Sequence, residues 1–189
     1  MKNVNITESG FLSDNQVMVL LIPEEDYLQQ LLKVVTQLAD EANRICFISL
    51  HRPYTSLTSL FEKNNVDAKK FYFIDAITKT AELPPETENC SFISSPGALT
   101  ELSVEVSSII ENEEFDYLLF DSLSTLIVYE TDAVITKFIH FLMAKVRVAS
   151  CKAIFTCLKQ DMQTNLIRDI NMFADKIIDL DKWAPSLRK

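Results

Sequence analysis

Phe115-Asp116-Tyr117-Leu118-Leu119-Phe120-Asp121-Ser122-Leu123-Ser124-Thr125-Leu126 decides the reading of this chain. An uninterrupted apolar run, Tyr117 to Phe120, leads straight into an aspartate and a serine. A run of strand length without alternation is what a parallel strand covered on both faces requires.

Working outward, similar runs recur on either side. Residues 17–22 and 45–50 read as strands, residues 71–74 as a third closed by Asp75, and residues 153–157 and 176–180 as later ones. A short strand is expected at 91–94. Between them lie helical patterns. The clearest spans residues 24–42, where Tyr27, Leu28, Leu31, Leu32, Val35, Leu38, Ala39 and Ala42 recur at helical spacing. Shorter or less regular helices are expected at 56–64 and 162–173. Another follows Gly97 on Leu99, Leu102, Val106, Ile109 and Ile110, and one runs over 131–148 with Thr131 as its N-cap. Strands alternating with helices predict βαβ units, right-handed crossovers and a mostly parallel sheet flanked by helices, an α/β three-layer fold. The most loop-like stretch is 80–89, around Pro84-Pro85. No linker or repeat divides the 189 residues, so one domain is expected over 1–189, with its core at about 17–181.

Composition narrows the function classes. The apolar share of 48% and charged share of 24% are those of a globular domain. A formal net charge of −9, with Lys69-Lys70 and Arg188-Lys189 the only adjacent basic pairs, opposes binding to phosphate backbones and anionic membrane surfaces. Neither nucleic acid nor membrane is expected as a partner. No run approaches the roughly 18 apolar residues that span a bilayer, and the polar N-terminus lacks a signal core, so the expected location is cytoplasmic. Cys46, Cys90, Cys151 and Cys157 show no CxxC spacing and read as buried free thiols.

The strand ending in Asp121-Ser122-Leu123-Ser124 resembles the Walker B strand of RecA- and KaiC-like ATPases. The neighbours follow in the family's order: Ile45 to Leu50 is similar to its second strand, Phe71-Tyr72-Phe73-Ile74-Asp75-Ala76 to its F-x-x-I-D-A strand, and residues 153–157 to the strand after Walker B, which often ends in a polar sensor residue. The resemblance covers almost the whole chain and implies a RecA-like, P-loop NTPase-like fold.

It breaks where the chemistry would be. In that family the first strand runs into a glycine-rich loop whose N–H groups cradle phosphates, whose lysine reaches the outer phosphates and whose hydroxyl holds Mg²⁺. Here the corresponding stretch is Pro23-Glu24-Glu25-Asp26-Tyr27, with no glycine, lysine, serine or threonine, and Gly10 and Gly97 are the only glycines in the chain. Three carboxylates are expected in the first helical turn, where they meet the helix dipole and repel a phosphate. Relatives place a water-activating glutamate after the second strand; this chain has His51-Arg52 there. His51 reads as an exposed loop histidine. Arg52 reads as a solvated arginine, with an acidic group on a partner or ligand as the sharper alternative. Asp121 is the motif acid that remains. A single carboxylate is a weak Mg²⁺ site, so it is expected to bond Ser122, Ser124 or nearby backbone instead.

Other chemistry finds little support. There is no GxSxG elbow, and His51 and His140 are the only histidines, without zinc spacing. Cys157, at the end of a strand where α/β folds place functional groups, has no identifiable base. The expectation is therefore a non-catalytic, pseudo-ATPase regulatory or scaffold domain with no metal or cofactor. It would act through a protein partner or a homo-oligomer, possible contacts being the faces around Tyr54 and Tyr129, in a process such as signal transduction. Two alternatives stand beside it: a sensor of nucleotide or another small ligand in a rebuilt pocket at the strand carboxyl ends, and a receiver-like domain with Asp121 as phosphoacceptor.

Overall fold

Every residue of β1 (Val17–Ile22), β2 (Ile45–Ser49) and β5 (Tyr117–Asp121) is buried. Such strands need cover on both faces, and the helices supply it. The computed structural model describes residues 15–163 and 165–182. With β3 (Phe71–Asp75), β4 (Cys90–Phe92), β6 (Lys152–Leu158) and β7 (Lys176–Asp179), the strands form one seven-stranded sheet in the order β4-β3-β2-β5-β6-β1-β7. All its pairings are parallel. This order is not the 2-1-3-4-5 arrangement of flavodoxin-like and receiver folds, so the phosphoacceptor alternative falls.

Because side chains alternate across a strand, the strands feed two separate cores. Met18, Leu20, Phe47, Phe73, Leu119 and Ile154 pack with Leu31, Val35 and Leu38 of α1 (Tyr27–Glu41) and Leu57 and Phe61 of α2 (Tyr54–Lys63). Val19, Leu21, Ile48, Leu118, Phe120 and Phe155 pack on the opposite face. There they meet α4 (Leu99–Asn112), α5 (Leu123–Tyr129), α6 (Asp132–Val148) and α7 (Asn165–Asn171). A one-turn helix, α3 (Thr78–Ala81), follows β3.

The differences from expectation have local causes. Helix α1 begins at Tyr27 rather than at residue 24, so Glu24, Glu25 and Asp26 precede the first helical turn. Helix α2 starts at Tyr54, directly after Pro53, whose fixed φ leads the chain into it. Helix α5 is not apparent from propensity, since Thr125, Ile127 and Val128 are β-branched. Burial of Leu123 and Leu126 overrides that preference. The close approach of Gly97 fits here too: a Cβ at that position would lie 3.3 Å from the Cβ of Tyr129. Thr131 does sit at the N-cap of α6, but without a side-chain cap hydrogen bond; Asp132 in the first turn and Lys145 and Arg147 in the last complement the dipole instead. Tyr54 is not an exposed contact. Its ring packs against Phe73 and Phe92 at centroid distances of 5.3 and 6.2 Å. Tyr129 is about half exposed, at 48%. No helix among the described residues is long and apolar enough to cross a membrane.

Candidate functional site at the carboxyl ends of the strands

Four polar residues form one row across the central strands: Ser49, Asp75 and Asp121 end β2, β3 and β5, and Thr156 lies two residues before the end of β6. Ser49 stands in register with Asp75 on one side and Asp121 on the other. Thr156 follows Phe155 just as Asp121 follows its partner Phe120. By alternation all four point toward the α1/α2 face, the side taken by Phe73, Phe47, Leu119 and Ile154 two residues earlier. All are fully buried, so each needs hydrogen-bond partners.

Two of them hold the helix starts in place. Asp75 accepts from the N–H groups of Tyr54 (2.7 Å), Ile77 (2.7 Å) and Thr78 (2.9 Å) and from the Thr78 hydroxyl. It thereby satisfies orphan donors at the entry of both α2 and α3. Asp121 holds the first residue of α1 by its side chain instead: the Tyr27 hydroxyl donates to its Oδ1, Thr156 donates to the same oxygen at 2.8 Å, and the Tyr27 and Thr156 oxygens are 2.7 Å apart. Ser49 Oγ donates to the Arg52 carbonyl at 2.7 Å and accepts from the Arg52 N–H at 3.2 Å, closing the loop after β2.

The expected partners of Asp121 are therefore corrected. Ser122 bonds Thr125 (3.1 Å), and Ser124 accepts from the Leu158 N–H (2.8 Å), while Tyr27 and Thr156 take the carboxylate. The reason is geometric. Asp121 lies on the α1 face of β5, whereas Ser124 is already inside α5 on the other face. His51 is likewise not a free loop residue. Its side chain is 29% exposed and its Nε2 faces Asp121 Oδ2 at 3.6 Å, too long for a hydrogen bond. Asp121 Oδ2, His51 Nδ1 and Arg52 Nε are buried without partners.

The structure thus brings Tyr27, His51, Asp121 and Ser122 together from the positions singled out in the sequence. Pro23 is buried at the end of β1, while Glu24, Glu25 and Asp26 are exposed. Between Ile22 and Tyr27 only the turn Pro23–Asp26 connects strand to helix, and the Tyr27 N–H closes it on the Glu24 carbonyl at 3.3 Å. Thr156 is the partner that sequence reasoning missed. Its signal was a lone hydroxyl inside the apolar run Ala153-Ile154-Phe155-Thr156-Cys157.

Ionisation follows burial. Burial, then the Asp121 charge and hydrogen bond, push the Tyr27 phenol well above its ordinary value, so it remains a neutral donor. The described cysteines are all buried and free. Burial raises each thiol, Cys151 to about 12 and Cys157 to about 11. Cys157 is therefore a protonated core thiol near neutrality, not a nucleophile. Folded values raised above the unfolded ones give stability that is complete below the unfolded thiol range, about 8.5, and is lost as pH rises through the folded values. Urea midpoints should fall from about pH 8.5 upward. A midpoint that stays flat or rises between there and pH 11, the raised Cys157 value, would contradict this assignment.

The seven-stranded parallel sheet flanked by helices is an α/β fold of the RecA/KaiC-like type. A crystal structure of a KaiC-like protein, PH0186 from the hyperthermophilic archaeon Pyrococcus horikoshii OT3, matches with a TM-score of 0.62 at 13% identity, over 87% of this chain and 73% of that one. The chain belongs to the family of unknown function DUF7504, whose profile matches residues 19–180. No curated protein matches the sequence.

Proposed function

We propose that this chain is a non-hydrolysing member of the KaiC-like fold, a pseudo-ATPase that acts as a regulatory or scaffold module through protein association. The observation that carries the reading is the hydrogen-bonded closure of Asp121 by Tyr27 and Thr156. A phosphate cradle needs free N–H groups, a cation and room next to the acid that shares the metal ion. Here the first residue of α1 fills that room with a phenol ring, and the turn before it carries Glu24, Glu25 and Asp26. Each carboxylate repels a phosphate charge by about 1 kcal/mol at 4 Å even in bulk water.

Association is supported by what the surface shows. Val128 and Tyr129 of α5 and Val134 of α6 leave 81, 48 and 42% of their areas in solvent, close together in sequence around the α5–α6 corner. Exposed apolar residues that fall together mark contact surfaces more often than scattered ones.

Phosphate release from ATP–Mg²⁺ should match a protein-free blank, and millimolar ATP–Mg²⁺ should leave the melting temperature unchanged. Turnover by the wild-type chain that Asp121→Ala abolishes would overturn the reading.

A further inference from the structure

A cleft of about 460 Å³ opens between the β1–α1 turn and α5, within the size range of small-ligand sites. It lies at the carboxyl ends of β1, β2, β5 and β6, where open α/β sheets place ligands. Carbon makes most of its wall, from the Tyr27 and Tyr129 rings, Val128 and Leu158. Val128 is 81% and Tyr129 48% exposed, so much of this apolar surface meets solvent in the free chain.

The polar part of the wall selects no charge. No lysine or arginine is among the described residues that line the cleft, so no such cation draws in an anion. One carboxylate, the exposed Glu24, stands at the rim. An ion pair made in water is worth no more than about fivefold in affinity, so Glu24 alone does not select a cation. The fully buried Asp121 is not part of the lining. Ser122 and Thr125 bond each other, and Ser124 accepts from the Leu158 N–H. These hydroxyls keep capacity for a further bond, but a hydroxyl donates and accepts alike and favours neither sign.

We propose that this cleft binds a small uncharged apolar group, with the hydroxyls of the wall taking up a polar atom that it carries. The gain on binding is cover for Val128, Tyr129 and Leu158, whose apolar area is then removed from water. Aromatic rings in the wall suit a ring in the ligand. A free molecule and an uncharged aromatic side chain of a partner protein share this chemistry. The proposal goes beyond the pseudo-ATPase reading, and failure of either leaves the other in place.

The test is a titration of the ¹⁵N-labelled full chain with indole, indoleacetate and tryptamine, the same ring without charge, with a negative charge and with a positive one. Indole should saturate below about 10 mM, with shifts at Thr125, Val128 and Tyr129. Neither charged form should bind more than about fivefold tighter than indole. Val128→Asp should weaken indole by at least about tenfold, whereas Val128→Leu should keep its binding. Val128 is exposed, so both variants should leave the spectrum away from the cleft unchanged. N-Acetyltryptophanamide, the same ring on an uncharged peptide unit, separates the sources: tighter binding than indole assigns a partner's side chain, and equal or weaker binding assigns a free molecule. A charged form more than about fivefold tighter than indole, shifts that avoid α5, or no saturation by about 10 mM would each overturn the proposal.

Discussion

Asp75→Ala is expected to lower unfolding free energy by roughly 3–5 kcal/mol, given about 1–3 kcal/mol for each buried donor left without a partner. The carboxylate is fully buried and receives three N–H groups and one hydroxyl, from Tyr54, Ile77 and Thr78. Its removal strands donors at the starts of α2 and α3 together, and no other side-chain cap is present at either, Pro53 and Ile77 making none. Asp75→Asn keeps an acceptor oxygen and should recover part of the loss. Urea denaturation of the two variants beside the wild type reads the difference. An Asp75→Ala chain within about 0.5 kcal/mol of wild type, the range of ordinary surface substitutions, would show that this residue does not hold the helix entries.

Phe47→Ala should have a comparable effect, about 3–5 kcal/mol, the range for deleting a buried Phe side chain from a core. Phe47 is fully buried in the centre of the sheet, in ring contact with Phe61 of α2 at 6.0 Å and Phe73 of β3 at 5.8 Å. Phe61 in turn meets Phe71 at 4.9 Å and Phe73 at 5.7 Å, so one truncation opens a cavity shared by β2, β3 and α2. Rigid neighbours on three elements cannot collapse into it. Phe47→Leu should lose clearly less. Equal losses for the two variants would contradict this, because they would mean that the apolar volume Leu restores contributes nothing.

Both residues show what a sequence can carry. The strands announce themselves, because a parallel strand covered on both sides must be apolar at every position, as Val17–Ile22 and the run into Asp121 are. The row of polar residues across them is visible as interruptions at Ser49, Asp75, Asp121 and Thr156. The partners of those residues are not visible, because they come from distant segments. Asp121 and Tyr27 are separated by 94 residues, and Asp75 and Tyr54 by 21. Local reasoning accordingly assigned Asp121 to its neighbours Ser122 and Ser124, although strand alternation sends it to the opposite face. The same blindness hid α5, where β-branched residues mask a helix that only Leu123 and Leu126 secure by burial. The acidic stretch Glu24-Glu25-Asp26 was legible, although as the first turn of α1 rather than the turn before it. The Tyr27 phenol behind it, which bonds Asp121, was not.

The bonding of Asp121 by Tyr27 and Thr156 carries the proposal that this chain does not hold ATP–Mg²⁺. Calorimetric titration of ATP–Mg²⁺ into the wild-type chain, with Asp121→Ala beside it, tests this most directly. No saturable heat is expected from either protein into the millimolar range. Saturable binding by the wild type that is lost in Asp121→Ala would contradict it.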